Sequence, residues 1–301
     1  MLHHMIPISL TPFHEDGSLD DDSIPTLTRF YRENYASALI VLGIMGEAHA
    51  LSDRERELVI EHYVSAAGGK LPIIATVSAP ATEVAVERAR RAHELGASAL
   101  MVAPPPGLTD PGLLSAHFER IALAVDLPWV LQDEPVTTGV RLSPDTIVRL
   151  AEGIPTLAAV KIEDVPTPSK IHAIHQRRPE LRLFGGLGGL YLYEELVHGA
   201  VGSMTGFSYP NILADVIDHA LAGRDKAARS LFYQYLPLIR YEAQLGVKGI
   251  AIRKALFHQR GLIKSPAVRA PAAAADPVIA EDLVNLVQAL GLPLGPQEGP
   301  V

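Results

Sequence analysis

The chain has 301 residues, 48% hydrophobic and 20% charged, and its 26 Lys and Arg against 34 Asp and Glu leave a formal charge of −8. That composition suits a globular protein with a large core, and with no basic patch standing out it argues against nucleic acid or an anionic membrane surface as partner. Cysteine is absent, so disulfides, thiolate metal sites and thiol nucleophiles are excluded.

The N-terminus enters an apolar strand directly, without the charged and apolar regions of a signal peptide, and no apolar run approaches about 18 residues, so a cytoplasmic protein is expected. Eight short, β-rich apolar runs then follow in chain order: 5–10, 38–43, 72–77, 99–105, 128–135, 157–163, 181–186 and 202–206. Helical patterns separate them. Residues 51–69 open on a Ser-x-x-Glu box at Ser52 and stop at Gly68 and Gly69. Residues 81–97 place Val84, Ala85, Ala89, Ala92 and Leu95 near one face, with Gly96 at the end. Strand and helix alternating eight times predict an α/β fold with a parallel sheet closed into a (β/α)₈ TIM barrel over residues 1–222. No glycine fingerprint for a dinucleotide follows the first strand. From 223 to 301 the pattern is wholly helical, apart from a linker-like Ala/Pro stretch at 267–277, and reads as a C-terminal appendage.

Chemistry in such a barrel belongs at the C-terminal ends of the strands. These carry Thr11 and Pro12, "GIMGE" at 43–47, "QDEP" at 132–135, Lys161 with Glu163, "GGLGG" at 185–189, and Thr205. Of seven lysines, only Lys161 ends an apolar strand. Burial disfavours an ammonium, and a neutral amine there can attack a carbonyl to form a Schiff base. Strand alternation puts Lys161 and Glu163 on one face, so the lysine can equally be held as an ion pair. The "GIMGE" turn offers backbone N–H groups suited to a carboxylate, or is a plain βα turn. "GGLGG" leaves room for a ligand near Gly186. No HExxH occurs, and the pair His172 and His175 lacks a third ligand, so no metal and no cofactor are expected.

Taken together, "IPISLTPFHEDGSLD", "GIMGE", "VKIED", "HGAVGSMTG" and the helical appendage resemble the dihydrodipicolinate synthase/N-acetylneuraminate lyase family over nearly the whole chain. The resemblance implies a usually tetrameric barrel in which Lys161 binds a 2-oxo acid covalently, the turn Gly43, Ile44, Met45 and Gly46 receives its carboxylate on backbone amides, and Gly186 and Thr205 line the site. The family's two turn threonines are here Ile44 and Met45. Its proton-relay tyrosine falls at Gln132, and the synthase arginine at Thr137. "QD-P" with "K-I-E" is similar to the branch that dehydrates 2-keto-3-deoxy sugar acids. The resulting expectation is a dehydratase with Lys161, Glu163 and Gln132 as catalytic residues, a small 2-oxo acid as partner, and a homo-oligomer of two or four chains. The alternatives are a retro-aldolase giving pyruvate plus an aldehyde, 4-hydroxy-tetrahydrodipicolinate synthase, and a non-catalytic 2-oxo acid binder.

Overall fold

The computed structural model describes residues 2–245 and 248–295. Residues 246, 247 and 296–301, which fall in the predicted helical appendage, lie outside that range. The strands are β1 (His4–Pro7), β2 (Leu39–Val41), β3 (Ile73–Thr76), β4 (Ala99–Val102), β5 (Trp129–Asp133), β6 (Leu157–Ile162), β7 (Arg182–Gly185) and β8 (Ala200–Thr205). All the neighbouring pairs are parallel, in the order β1-β8-β7-β6-β5-β4-β3-β2. A parallel bridge between Ile8 and Ile40, just beyond β1, closes the ring, with the Ser9 N–H donating to the Ile40 carbonyl at 2.8 Å.

The helices are α1 (Ile24–Glu33), α2 (Asp53–Ala67), α3 (Thr82–Glu94), α4 (Pro111–Ala122), α5 (Pro135–Thr138), α6 (Pro144–Gly153), α7 (Thr167–His175), α8 (Leu192–Val197), α9 (Pro210–Leu221), α10 (Asp225–Gln244), α11 (Gly249–Gln259) and α12 (Pro277–Ala289). Their boundaries follow local chemistry. Ser52 and Glu55 form the expected capping box on α2, and Gly68 ends it with φ +52°, a left-handed turn that glycine adopts without strain. Asp110, Ser143 and Asp276 cap helices that begin with proline. In α3 the buried stripe is Ala85, Val86, Ala89 and Ala92, whereas Val84 is 41% exposed. Val84 lies one 100° step off the stripe centred on Ala85 and Ala89, so Val86 takes its place.

Strand alternation sorts the core into two layers. Ile6, Ile40, Ile74, Met101, Val130, Ala159, Phe184 and Met204 fill the barrel interior. Val41, Leu100, Leu131, Val160, Ile162 and Leu183 face the helices. Helices α9–α12 build a further apolar cluster around Leu213, Phe232, Leu238, Leu256 and Leu283. No helix among the described residues is long and apolar enough to cross a membrane.

Candidate active site

Val130 and Ala159 point into the barrel, so two residues further along β5 and β6 the inward positions are Gln132 and Lys161. They are register partners across the two strands. Glu163, two residues beyond Lys161, shares its face. Lys161 Nζ lies 2.8 Å from Glu163 Oε2, and Gln132 Nε2 donates to the same oxygen at 2.9 Å. The other oxygen, Oε1, accepts the Leu187 N–H at 3.3 Å. All three sequence-predicted catalytic side chains therefore meet at one carboxylate. Lys161 and Gln132 are 2% and 3% exposed, and the Glu163 side chain keeps 11% of its surface. Gly186 belongs to the same arrangement, because a Cβ there would overlap the Glu163 carboxyl group. A glycine at that position is what lets Glu163 lie across the end of β7.

The 43–47 turn stands on the other side of the mouth. Gly43, Ile44 and Gln132 line one cavity of about 600 Å³, together with His49, Ser78 and Thr137. The turn is tight: the Gly46 N–H bonds the Gly43 carbonyl, the Glu47 N–H bonds the Ile44 carbonyl, and the Thr11 hydroxyl donates to the Gly46 carbonyl at 2.6 Å. The N–H groups of Ile44 and Met45, first in the turn, cannot bond within it. Thr205 is buried at the end of β8, where its carbonyl accepts the Ile8 N–H at 2.9 Å. The next residue, Gly206, packs against the Met45 side chain, so the end of β8 adjoins the turn.

Several ionisable groups around the rim escape sequence reasoning. Behind β5, Asp133 is fully buried and 2.6 Å from Lys170 of α7, which also meets Asp164 at 3.1 Å. Burial pushes the Asp133 carboxyl up to about 6, against the pull of Lys170. Behind β7, Glu195 is fully buried and accepts the Thr167 hydroxyl at 2.5 Å; burial pushes it up to about 8. Asp133 could have been found by alternation, since it follows the inward Gln132 on a strand covered by helices. Glu195 gives no such signal beyond Gly185, whose missing side chain makes room for its carboxyl group. The stretch 267–277, linker-like in sequence, is anchored instead. Arg269 donates to the Gly17 and Ala50 carbonyls at 2.8 and 3.0 Å and pairs with Glu55 at 2.5 Å. His172 is exposed, its ring 5.4 Å from that of His198. Among the described residues no group of three or more His, Asp or Glu side chains is placed to hold a metal ion.

Comparison with known proteins agrees with this geometry. The model of the dihydrodipicolinate synthetase family matches residues 1–290. The L-2-keto-3-deoxyarabonate dehydratase of Azospirillum brasilense is 29% identical over 95% of this chain and 94% of its own. The 4-hydroxy-tetrahydrodipicolinate synthase of Nitrosococcus oceani is 33% identical over 87% and 90%. Among solved structures, the dihydrodipicolinate synthase of Rhodopseudomonas palustris superposes with a TM-score of 0.89 at 37% identity, covering 95% of this chain and 97% of that one. The chloride-inhibited dihydrodipicolinate synthase of Acinetobacter baumannii, solved with pyruvate, gives 0.90 at 28%, covering 97% and 100%. A match of this length takes in the whole barrel and most of the helices that follow it: the chain belongs to the dihydrodipicolinate synthetase family, and it is a lyase.

Proposed function

We propose that the protein is a Schiff-base lyase that dehydrates a short 2-keto-3-deoxy sugar acid. The observation that carries this reading is the single carboxylate of Glu163 contacted by both Lys161 and Gln132. Glu163 can take the ammonium proton of Lys161 across 2.8 Å, leaving an amine that attacks the substrate C2 carbonyl; the carbinolamine hydroxyl then leaves as water with that proton, which forms the protonated imine and returns Glu163 to its carboxylate. The protonated imine draws electrons from C3. Glu163 removes a C3 proton, and the electron pair of that C–H bond becomes an enamine. The enamine then expels the C4 hydroxyl, which leaves as water with a proton from the acid form of Glu163. Hydrolysis of the remaining imine returns Lys161. Gln132 orients a substrate hydroxyl or a water, and the amides of Ile44 and Met45 hold the carboxylate. Gly43, Gly46, Gly186 and Thr205 shape the pocket around it.

Residues 1–222 carry this chemistry and 223–301 form the extension. The same reading makes the enzyme cytoplasmic, homo-oligomeric and independent of metals, since the imine is the electron sink. The relative from Azospirillum brasilense, itself named as a dehydratase of a 2-keto-3-deoxy acid, favours dehydration. The relatives named as synthases favour carbon–carbon chemistry, against which stands Gln132, a side chain that cannot titrate. Borohydride trapping with pyruvate, followed by peptide mapping, tests the lysine: a reduced adduct at Lys161 is expected, and its absence sinks the reading. Incubation with candidate 2-keto-3-deoxy acids then separates a product retaining every carbon from release of pyruvate.

A further inference from the structure

The C-terminal extension reaches the barrel mouth at a point the chemistry above does not use. Lys254, within α11, is fully buried, and its Nζ pairs with the Glu47 carboxylate while donating to the Ala267 carbonyl at 2.9 Å. It also sits 4.1 Å from the centroid of the Phe13 ring. Glu47 itself is 1% exposed and closes the 43–46 turn. Its backbone lies in the left-handed region, φ 53° and ψ 32°, a conformation that a non-glycine residue keeps only where its surroundings hold it. Lys254 holds it on one side, and the Arg269 backbone N–H, donating to Oε2 at 3.1 Å, on the other. Burial lowers Lys254 to about 8, with the Glu47 charge opposing that fall. Neither charge is stable there without its partner.

We propose that Glu47 is a positioning residue, its ion pair with Lys254 and its bond from Arg269 holding the Ile44–Met45 turn in the shape that receives a substrate carboxylate. This rests on the reading of that turn as the carboxylate site. The extension thereby sets affinity for 2-oxo acids without contacting the reacting atoms. The turn's other restraints, its two internal backbone bonds and the Thr11 hydroxyl on the Gly46 carbonyl, act on carbonyl oxygens and leave the aim of the Ile44 and Met45 amides to the Glu47 anchor. Ile44 and Met45 are half-buried and apolar, so their side chains cannot substitute for misaimed amides.

The test is borohydride trapping at Lys161 with two probes of similar size, pyruvate and the uncharged ketone hydroxyacetone. The double variant E47Q/K254M removes both charges together, so no unpaired buried ion is left to unfold the protein. Its half-saturating pyruvate concentration should rise by about tenfold, a modest loss on the affinity scale. Hydroxyacetone trapping should stay within about twofold, and turnover at saturating substrate within about threefold. Unchanged pyruvate saturation in the folded variant overturns the proposal. So does equal weakening of both probes, which would give the pair a purely structural role. Should the double variant not fold, Glu47→Gln alone keeps the shape and the hydrogen bonds. It should show the same selective loss at smaller size, and equal loss for both probes would again overturn the proposal. Failure of the underlying reading is visible separately, because wild-type protein would then trap pyruvate no better than hydroxyacetone.

Discussion

Two buried lysine–carboxylate pairs lie on opposite faces of the same barrel wall. Inside, Lys161 and Glu163 are 2.8 Å apart; outside, Lys170 and Asp133 are 2.6 Å apart. Separation and charge are alike, and the surroundings differ. The inner pair's carboxylate keeps 11% of its side-chain surface and bonds Gln132, which lines an open cavity. The outer pair is sealed between β5 and α7, and Lys170 shares itself with Asp164 on the loop just after Glu163. On the proposed reading a carbonyl carbon reaches the first pair past Gln132, whereas the second holds α7 against the wall. Burial and proximity are common to both lysines; what separates them is that only the first has a neighbour lining this cavity.

The largest effect should come from the inner lysine. Lys161→Ala and Lys161→Arg are both expected to abolish adduct formation and turnover, since one has no amine and the other a guanidinium that stays protonated. Near wild-type turnover in either variant would remove the Schiff base from the mechanism. The melting temperature of Lys161→Ala should change little, because Glu163 keeps Gln132, the Leu187 N–H and water as partners. Next in size is Glu163→Gln. The amide preserves shape and much of the hydrogen bonding but cannot accept a proton. Turnover should fall by about 10²–10⁴-fold, the usual loss for a general acid–base, while pyruvate is still trapped at Lys161. Trapping intact with turnover within tenfold of wild type would leave Glu163 as an ion-pair partner only.

The outer pair should give the reverse pattern. Lys170→Met leaves Asp133 and Asp164 without their cation, and breaking a buried pair from one side costs about 3–5 kcal/mol. Protonation of Asp133, already pushed up to about 6, should hold the loss near the lower end. Denaturant midpoints would measure it, and pyruvate trapping at Lys161 should survive below the new melting range. A variant as stable as wild type would mean that the outer pair carries no net stabilisation.

The division between these pairs was partly legible beforehand. Alternation along "VKIED" puts Lys161 and Glu163 on one face, whereas Gln132 is singled out only by the family resemblance, as the position where the proton-relay tyrosine falls. The order of eight apolar runs likewise carried the barrel, because each run is short, β-rich and followed by a helical pattern. The contacts that brace the rim were not legible. Lys170, Glu195, Lys254 and Arg269 each have a partner far away in sequence, from 28 positions for Thr167 and Glu195 to 252 for Arg269 and Gly17, and no local pattern encodes which helix meets which loop. Lys254 reads as an ordinary helical lysine until α11 is seen to be buried on nearly every side.

The smallest effect, and the one that isolates the outer wall from the chemistry, concerns Glu195. Burial raises its carboxyl from 4.5 to about 8; the Thr167 hydroxyl opposes that shift, and the charges of Glu194 and Glu163 add to it. Between those two values the folded protein binds more protons than the unfolded chain, so the contribution of this group to stability is complete below about 4.5 and disappears as pH rises through about 8. Asp133, raised to about 6 by burial, slopes the same way but finishes earlier. Glu195→Gln stays neutral throughout and keeps an oxygen for Thr167. Its melting temperature should therefore run parallel to that of wild type below about pH 4.5 and fall less steeply between about pH 4.5 and 8, the interval over which only wild type loses the Glu195 contribution. Pyruvate trapping should be unchanged, because Glu195 lies behind β7 rather than in the mouth. An identical slope in the two proteins over the upper range would show that Glu195 is charged in the fold at neutral pH, and a carboxylate facing Glu163 from behind the strand would then have to be counted among the groups that set its basicity.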